Sequence, residues 1–208
     1  MNLLETIILP ADNKEAIPRA LEILRHGGLV ALPTDTVYGI GSLAFDEQAI
    51  ESIYRAKDRP LEKAVPILIG GPEDLVKVTT AIPPIAAKLA TRFWPGALTL
   101  VVPKHPNLPE VVSPMPTVGV RVPDHPVARG LLRAVGPMAV TSANISGEAS
   151  PKTAEEVSRQ LNGRISLILD GGETPGGVPS TVVDCLGIEP VILREGPITM
   201  KDIQSVLA

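Results

Sequence analysis

Gly28-Leu29-Val30-Ala31-Leu32-Pro33-Thr34-Asp35-Thr36-Val37-Tyr38-Gly39-Ile40-Gly41 is an apolar run that stops at a proline and turns polar and glycine-rich. Leu29 to Leu32, bounded by Gly28 and Pro33, reads as a buried strand. The polar loop directly behind it stands where open α/β sheets place their ligand loops. The same pairing of apolar strand and polar loop returns further along the chain.

Upstream, Asp12 or Asn13 can cap a helix running to about His26. Ile17, Leu21 and Leu24 form its apolar face, and Gly27-Gly28 ends it. Downstream, a helix is expected over Asp46 to Ala56 with Ile50, Ile53 and Tyr54 inward, leaving through Lys57-Asp58-Arg59-Pro60. Ala64–Ile69 reads as a strand. Helices follow near Pro72–Val78 and Pro83–Phe93, then strands at Leu98–Val102 and Val118–Val122. A helix at Val127–Val135 precedes a short strand, Ala139-Val140. Thr153 with Glu156 is a capping box opening the next helix. Short strands at Ile165–Leu169, Thr181–Cys185 and Val191–Leu193 precede a last helix from about Thr199 to Leu207. Strands and helices alternate, so the class is α/β, or α+β, around one open sheet. No internal repeat or long linker divides the chain, and residues 1–208 read as one domain.

Bulk properties narrow the function. The 208 residues are 44% hydrophobic and 20% charged, the balance of a folded protein with a real core. A net charge of −4 argues against a chain-wide nucleic-acid footprint, and one Trp, two Tyr and two Phe are too few for base-stacking platforms. One cysteine, Cys185, permits neither a disulfide within the chain nor a cysteine-based zinc site. His26, His105 and His125 lack metal-ligand spacing, and no metal site is expected. No apolar run is long enough for a membrane span or shaped like a signal peptide, so the expected location is cytoplasmic.

Four clusters could carry chemistry. Pro33–Gly41 offers the hydroxyls of Thr34, Thr36 and Tyr38, with Gly39 and Gly41 allowing close backbone approach to a ligand. It is equally a turn satisfying its own backbone. Lys57, Arg59 and Lys63 suit a polyphosphate, or are cations at a solvated helix end. Arg121, inside the apolar strand Val118-Gly119-Val120-Arg121-Val122, needs an anion, whether a protein carboxylate or a ligand's. Thr141-Ser142-Ala143-Asn144-Ile145-Ser146-Gly147 can form a nest of donors for phosphate, or a hydroxyl-rich turn. No Walker A loop is present.

Seven ordered pieces are similar to the YrdC family of threonylcarbamoyl-AMP synthases. They are Leu32-Pro33-Thr34-Asp35-Thr36-Val37-Tyr38-Gly39; Ala56-Lys57-Asp58-Arg59-Pro60; Trp94-Pro95-Gly96-Ala97-Leu98-Thr99; Val120-Arg121-Val122-Pro123-Asp124-His125-Pro126; Thr141 to Gly147; Ser180-Thr181-Val182-Val183-Asp184; and Ile192-Leu193-Arg194-Glu195-Gly196. The resemblance covers nearly the whole chain. It implies a twisted, open mixed sheet with flanking helices and a concave, positively charged cleft, in the short single-domain form of the family.

The resemblance also implies a reaction: L-threonine, bicarbonate and ATP give threonylcarbamoyl-AMP and pyrophosphate, for modification of tRNA by partner transferases. Arg121 is then expected to hold the threonine carboxylate, with Thr36, Thr141 and Ser180 beside threonine. Arg59, Lys63, Thr117, Ser142, Asn144, Ser150 and Arg194 are expected on ATP. Lys57 and Arg59 are the expected catalytic contacts to phosphate or carbamate. Mg²⁺ is expected on the phosphates, mostly water-bound. Leu68 departs from the many relatives that carry a histidine there. Gly171–Pro179, rich in Pro and Gly, is the expected lid. The alternative role is an RNA-binding module, double-stranded or ribosome-associated, using the same cleft. Carbamoyl transfer for hydrogenase maturation is disfavoured, because such proteins carry acylphosphatase and zinc-finger regions as well.

Overall fold

Short aliphatic runs make the strands here, and capped or proline-led segments make the helices. A computed structural model describes residues 5–208. In chain order the strands are β1 (Ile7–Pro10), β2 (Val30–Leu32), β3 (Gly39–Leu43), β4 (Ile67–Leu68), β5 (Leu98–Pro103), β6 (Thr117–Arg121), β7 (Met138–Ser142), β8 (Leu167–Asp170), β9 (Thr181–Asp184) and β10 (Val191–Arg194). The helices are α1 (Ala16–Arg25), α2 (Glu47–Lys57), α3 (Pro84–Phe93), α4 (Pro126–Val135), α5 (Ala154–Leu161) and α6 (Met200–Leu207).

The strands form one open, mixed sheet in the order β1-β8-β2-β3-β7-β4-β6-β5-β9-β10. Pairing is parallel at β1–β8, β2–β8, β4–β6 and β5–β9 and antiparallel elsewhere. The expected class therefore holds.

Local chemistry explains most element boundaries. Asp46 caps α2, its Oδ1 accepting from the Ala49 N–H at 3.0 Å. Thr199 and Asp202 form a complete capping box at α6. At α5, Thr153 accepts from the Glu156 N–H, but the Glu156 carboxylate turns to the Lys152 N–H instead, so the expected box is half formed. α1 begins at Ala16 rather than at Asp12 or Asn13. Asn13 is spent on a preceding turn, its side chain accepting from Glu15 N–H and its carbonyl from Ala16 N–H.

Some expectations change. Gly39–Leu43 is strand β3 rather than loop. A Cβ on Gly39 or Gly41 would lie 2.7 or 2.6 Å from the Val140 side chain, so both glycines serve close packing of β3 on β7. The strand expected over Ala64–Ile69 shrinks to Ile67–Leu68, because Pro66 has no N–H and the Val65 N–H bonds to Val112 instead. Pro72–Lys77 is a 3₁₀ helix, and so is the unanticipated Glu110–Val112. Strand β1 was also unanticipated: four residues at the sheet edge are too few for a periodic signal.

The two faces of the sheet are covered unequally. On one, α2, α3, α5 and α6 pack across the width of the sheet, from Ala31, Ile40 and Ile168 to Leu98, Leu100, Val118, Val120 and Val183. On the other, α1 and α4 cover only Val30, Leu32, Met138, Val140, Leu167, Leu169 and their neighbours. Strand period two therefore turns Thr99, Val101, Gly119, Arg121 and Val182, the alternates of the core residues, onto a helix-free surface. That surface is the floor of the site.

Candidate functional site

A cavity of about 490 Å³ opens on this surface, within the range of small-molecule sites. Its floor is β5, β6 and β9. Its walls are the loop before β3, Leu68, the end of β7, the residues around Met115, and Arg59 and Arg194.

At one end Arg121 closes β6 and is almost fully buried, with 5% of its surface exposed. Its Nε donates to the Gly96 carbonyl at 2.9 Å, Nη1 to Thr36 Oγ1 at 3.0 Å, and Nη2 to Asp35 Oδ1 at 2.5 Å. Asp35 Oδ1 also accepts from the Asp124 N–H at 3.0 Å. Thr34 Oγ1 donates to the Val37 carbonyl at 2.7 Å, so the 3.0 Å contact between the two threonine hydroxyls has Thr36 as donor. The chain runs Arg121 to Thr36 to Thr34 to the Val37 carbonyl, each group donating onward. Burial lowers the Arg121 pKa, Asp35 opposes this, and the group remains a cation. Of its five N–H donors, three have protein partners and two remain, one on each terminal nitrogen. Both readings of a buried strand arginine are thus met: a protein carboxylate holds the guanidinium and donors remain for a ligand.

The other side of the cavity is cationic. Asp58 takes a left-handed turn at φ 50° after α2 and delivers Arg59 to the wall. Arg59 Nε and Nη2 donate to the carbonyls of Lys63 at 3.2 Å and Ala64 at 2.8 Å. Arg194, at the end of β10, donates through Nε and Nη2 to the Ser180 carbonyl at 3.1 and 2.7 Å. Ser180 Oγ lies 2.8 Å from Thr99 Oγ1. Burial first, and then the charge of Arg59, lowers the Arg194 pKa. Two guanidiniums facing one cavity call for a ligand carrying several negative charges.

Of the residues expected from the sequence, Thr36, Arg59, Thr117, Arg121, Thr141, Ser142, Ser180 and Arg194 line this one cavity. Four do not. Lys57, expected to touch phosphate or carbamate directly, lies behind the wall. It is 1% exposed, and its Nζ donates to the carbonyls of Ser142 and Asn144. Burial and then Arg59 push its pKa down to about 7. Asn144 is likewise buried behind Ser142. Its Nδ2 donates to the carbonyls of Ile145 and Glu148, while its Oδ1 is buried without a partner. Lys63 is exposed and Ser150 half-buried, both outside the cavity lining.

Sequence reasoning passed over Asp35, the anchor of Arg121, although a buried strand arginine itself signals a carboxylate nearby. It also passed over Thr99, Val101, Met115 and Val182. For Thr99, Val101 and Val182 the signal was the alternation of β5 and β9, legible only once the uncovered face is known; Met115 sits in the loop before β6 and had no such pattern. Cys185 is core as expected, its thiol pushed up to about 12 by burial. Among the described residues no group of three or more His, Cys, Asp or Glu could hold a metal, and no helix is long and apolar enough to cross a membrane.

A family model described as Telomere recombination, named for Sua5, YciO and YrdC, matches residues 22–196. The chain belongs to the Sua5/YciO/YrdC family. Among its relatives, a threonylcarbamoyl-AMP synthase of Bacillus subtilis is 44% identical over 200 residues, covering 95% of this chain and 58% of its own length. A putative threonylcarbamoyl-AMP synthase of Mycobacterium tuberculosis is 42% identical over 199 residues, covering 95% and 92%. The solved structure of Pyrococcus abyssi Sua5 complexed with L-threonine superposes with a TM-score of 0.91 at 41% identity, covering 99% of this chain and 61% of that one. This Sua5/YciO/YrdC-family chain therefore spans 58% of the length of the Bacillus relative and nearly all of the Mycobacterium one.

Proposed function

We propose that this protein makes threonylcarbamoyl-AMP from L-threonine, bicarbonate and ATP, releasing pyrophosphate. The observation that carries the reading is the Arg121–Thr36–Asp35 clamp, facing two arginines across a single cavity, in a chain that superposes on a relative solved with L-threonine. The two remaining N–H groups of Arg121 suit an α-carboxylate. Thr36, Thr141 and Ser180 supply oxygens beside it. Arg59 and Arg194, with Thr117 and Ser142, suit the phosphates of ATP. Lys63 and Ser150 would reach them only from outside the lining. Lys57 supports the phosphate side from behind by holding the carbonyls of Ser142 and Asn144, and Asn144 holds those of Ile145 and Glu148.

The chemistry asks for positioning and charge neutralisation rather than a covalent intermediate. The threonine ammonium gives up a proton, its free nitrogen attacks the bicarbonate carbon, and water leaves, giving the N-carboxylate. One carboxylate oxygen attacks the α-phosphorus as its bond to pyrophosphate breaks. Mg²⁺ enters as part of the ATP substrate. The product would pass to transferases that act on tRNA, in the cytoplasm.

The test is pyrophosphate release from ATP and Mg²⁺, with L-threonine or bicarbonate omitted in turn. Release requiring both, and favouring threonine over serine, is expected. Release indifferent to threonine would discard the reading, and salt-sensitive RNA binding without turnover would replace it with the RNA-binding one.

A further inference from the structure

Residues 171–179 do not hang free as the expected lid. They form a strap tied at both ends to the loop that carries the Arg121 clamp. At the first end, the fully buried Tyr38 hydroxyl accepts from the Gly171 N–H at 3.1 Å and donates to the Gly172 carbonyl at 2.7 Å. Burial pushes the Tyr38 pKa to about 12, so the phenol keeps the proton it donates. Asp170 Oδ1 stiffens the same corner by accepting from the Gly172 N–H at 3.0 Å. In the middle, the Thr174 N–H donates to the Lys152 carbonyl at 2.9 Å. At the second end, the Gly177 N–H donates to the Thr36 carbonyl at 2.7 Å. Gly176 lies flat on the clamp loop: a Cβ there would come 2.6 Å from the Asp35 carbonyl and 3.0 Å from Thr36 Cα. The strap then continues into Pro179 and Ser180, which line the cavity.

We infer that the Tyr38 hydroxyl is a positioning group for the amino-acid half of the site: it anchors the 171–179 strap, whose far end holds Thr36 and so the Arg121 fork. This rests on the proposed threonine-dependent reaction. The anchored part of the strap faces the amino-acid half. Residues 171–177 touch Asp35 and Thr36, whereas Arg59 is held by Lys63 and Ala64, and Arg194 bonds to Ser180, beyond the anchored part. Loosening residues 171–177 therefore weakens amino-acid binding more than ATP binding. A merely structural hydroxyl would lower thermal stability and the active fraction without separating the substrates.

The test is Tyr38→Phe in the full chain, which deletes one oxygen and keeps the ring packed. Losing one buried hydrogen-bond node predicts a rise of about tenfold in the KM for L-threonine, with kcat and the KM for ATP within about twofold of the parent. Hydrogen exchange at residues 171–177 should quicken, and L-threonine should no longer slow it. Gly176→Ala, which pushes the strap off Asp35 and Thr36 and leaves the phenol intact, should raise the same KM. An unchanged threonine KM in both variants, or equal rises for threonine and ATP, overturns the inference. If the unaltered protein lacks threonine-dependent pyrophosphate release, the functional reading falls first, and exchange at 171–177 in Tyr38→Phe still reports whether the strap is anchored there.

Discussion

One sheet runs through two unlike regions. Between β8 and β7, helices α1 and α4 lie across it, and Val30, Leu32, Leu167 and Leu169 become core. Between β6 and β10 the same face has no helix, and the alternate residues are Thr99, Arg121, Val182 and Arg194 around a cavity. Both regions have a complete core on the opposite face. A helix layer that stops halfway is therefore what separates scaffold from site. One region should answer to mutation in stability and the other in substrate use.

Arg121→Ala should break that separation most severely. It removes the two free donors, raising the threonine concentration at half-saturation at least about 100-fold, from roughly 1.5–3 kcal/mol per charge-assisted bond. It also leaves the partly buried Asp35 with only the Asp124 N–H, in place of its 2.5 Å pairing with Arg121, which should cost about 1–3 kcal/mol. Initial rates against threonine and a denaturant melt read the two effects. A variant that keeps threonine saturation would remove Arg121 from the site.

Leu132→Ala tests the covered region. Leu132 is fully buried under the sheet, and its truncation should cost about 2–5 kcal/mol. That is a fall in Tm of roughly 5–15 °C for a chain of this size. The KM values of the molecules that remain folded should not move. Val182→Ala, half-buried on the open floor, should cost under about 1 kcal/mol and act on ATP use instead. Equal behaviour of the two variants would erase the distinction between the regions.

Lys57 straddles the boundary, and its effect shows only against pH. Its pKa falls from 10.5 to about 7 on folding, so above pH 7 the unfolded chain holds a proton that the folded chain has released. Stability should therefore rise with pH from about 7 to 8.5, by at most about 1.4 kcal/mol per pH unit. Lys57→Met should lack this slope. Above the ordinary thiol value of 9.0, Cys185 acts with the opposite sign, because its folded pKa is raised to about 12. Melts at closely spaced pH values below 8.5 isolate the lysine; parallel slopes in both proteins would mean that it stays charged when buried.

Much of this was readable from residues alone. The Asp46 cap and the Thr199 start of the last helix rest on interactions within a few residues of one another, which any window of sequence contains. The segments that offered Thr36, Arg59, Arg121, Ser142 and Arg194 come together around one cavity. The placement of Lys57 was not readable. A lysine at a helix end points outward by default, and only the return of Ser142 and Asn144 against it turns that cation inward. Asp35 stood in plain view, but its pairing spans 86 residues.

The sequence by itself determined the alternation of strand and helix, the helix caps, and which residue types could meet a carboxylate and a polyphosphate. These are matters of local spacing and side-chain chemistry. Tertiary structure alone decided which face of each strand is open, which cations look into the cavity and which support it from behind, and that a strap from residues 171–179 closes on Thr36. Those outcomes depend on the strand order and on where two helices stop, and both are set by burial summed over the whole chain.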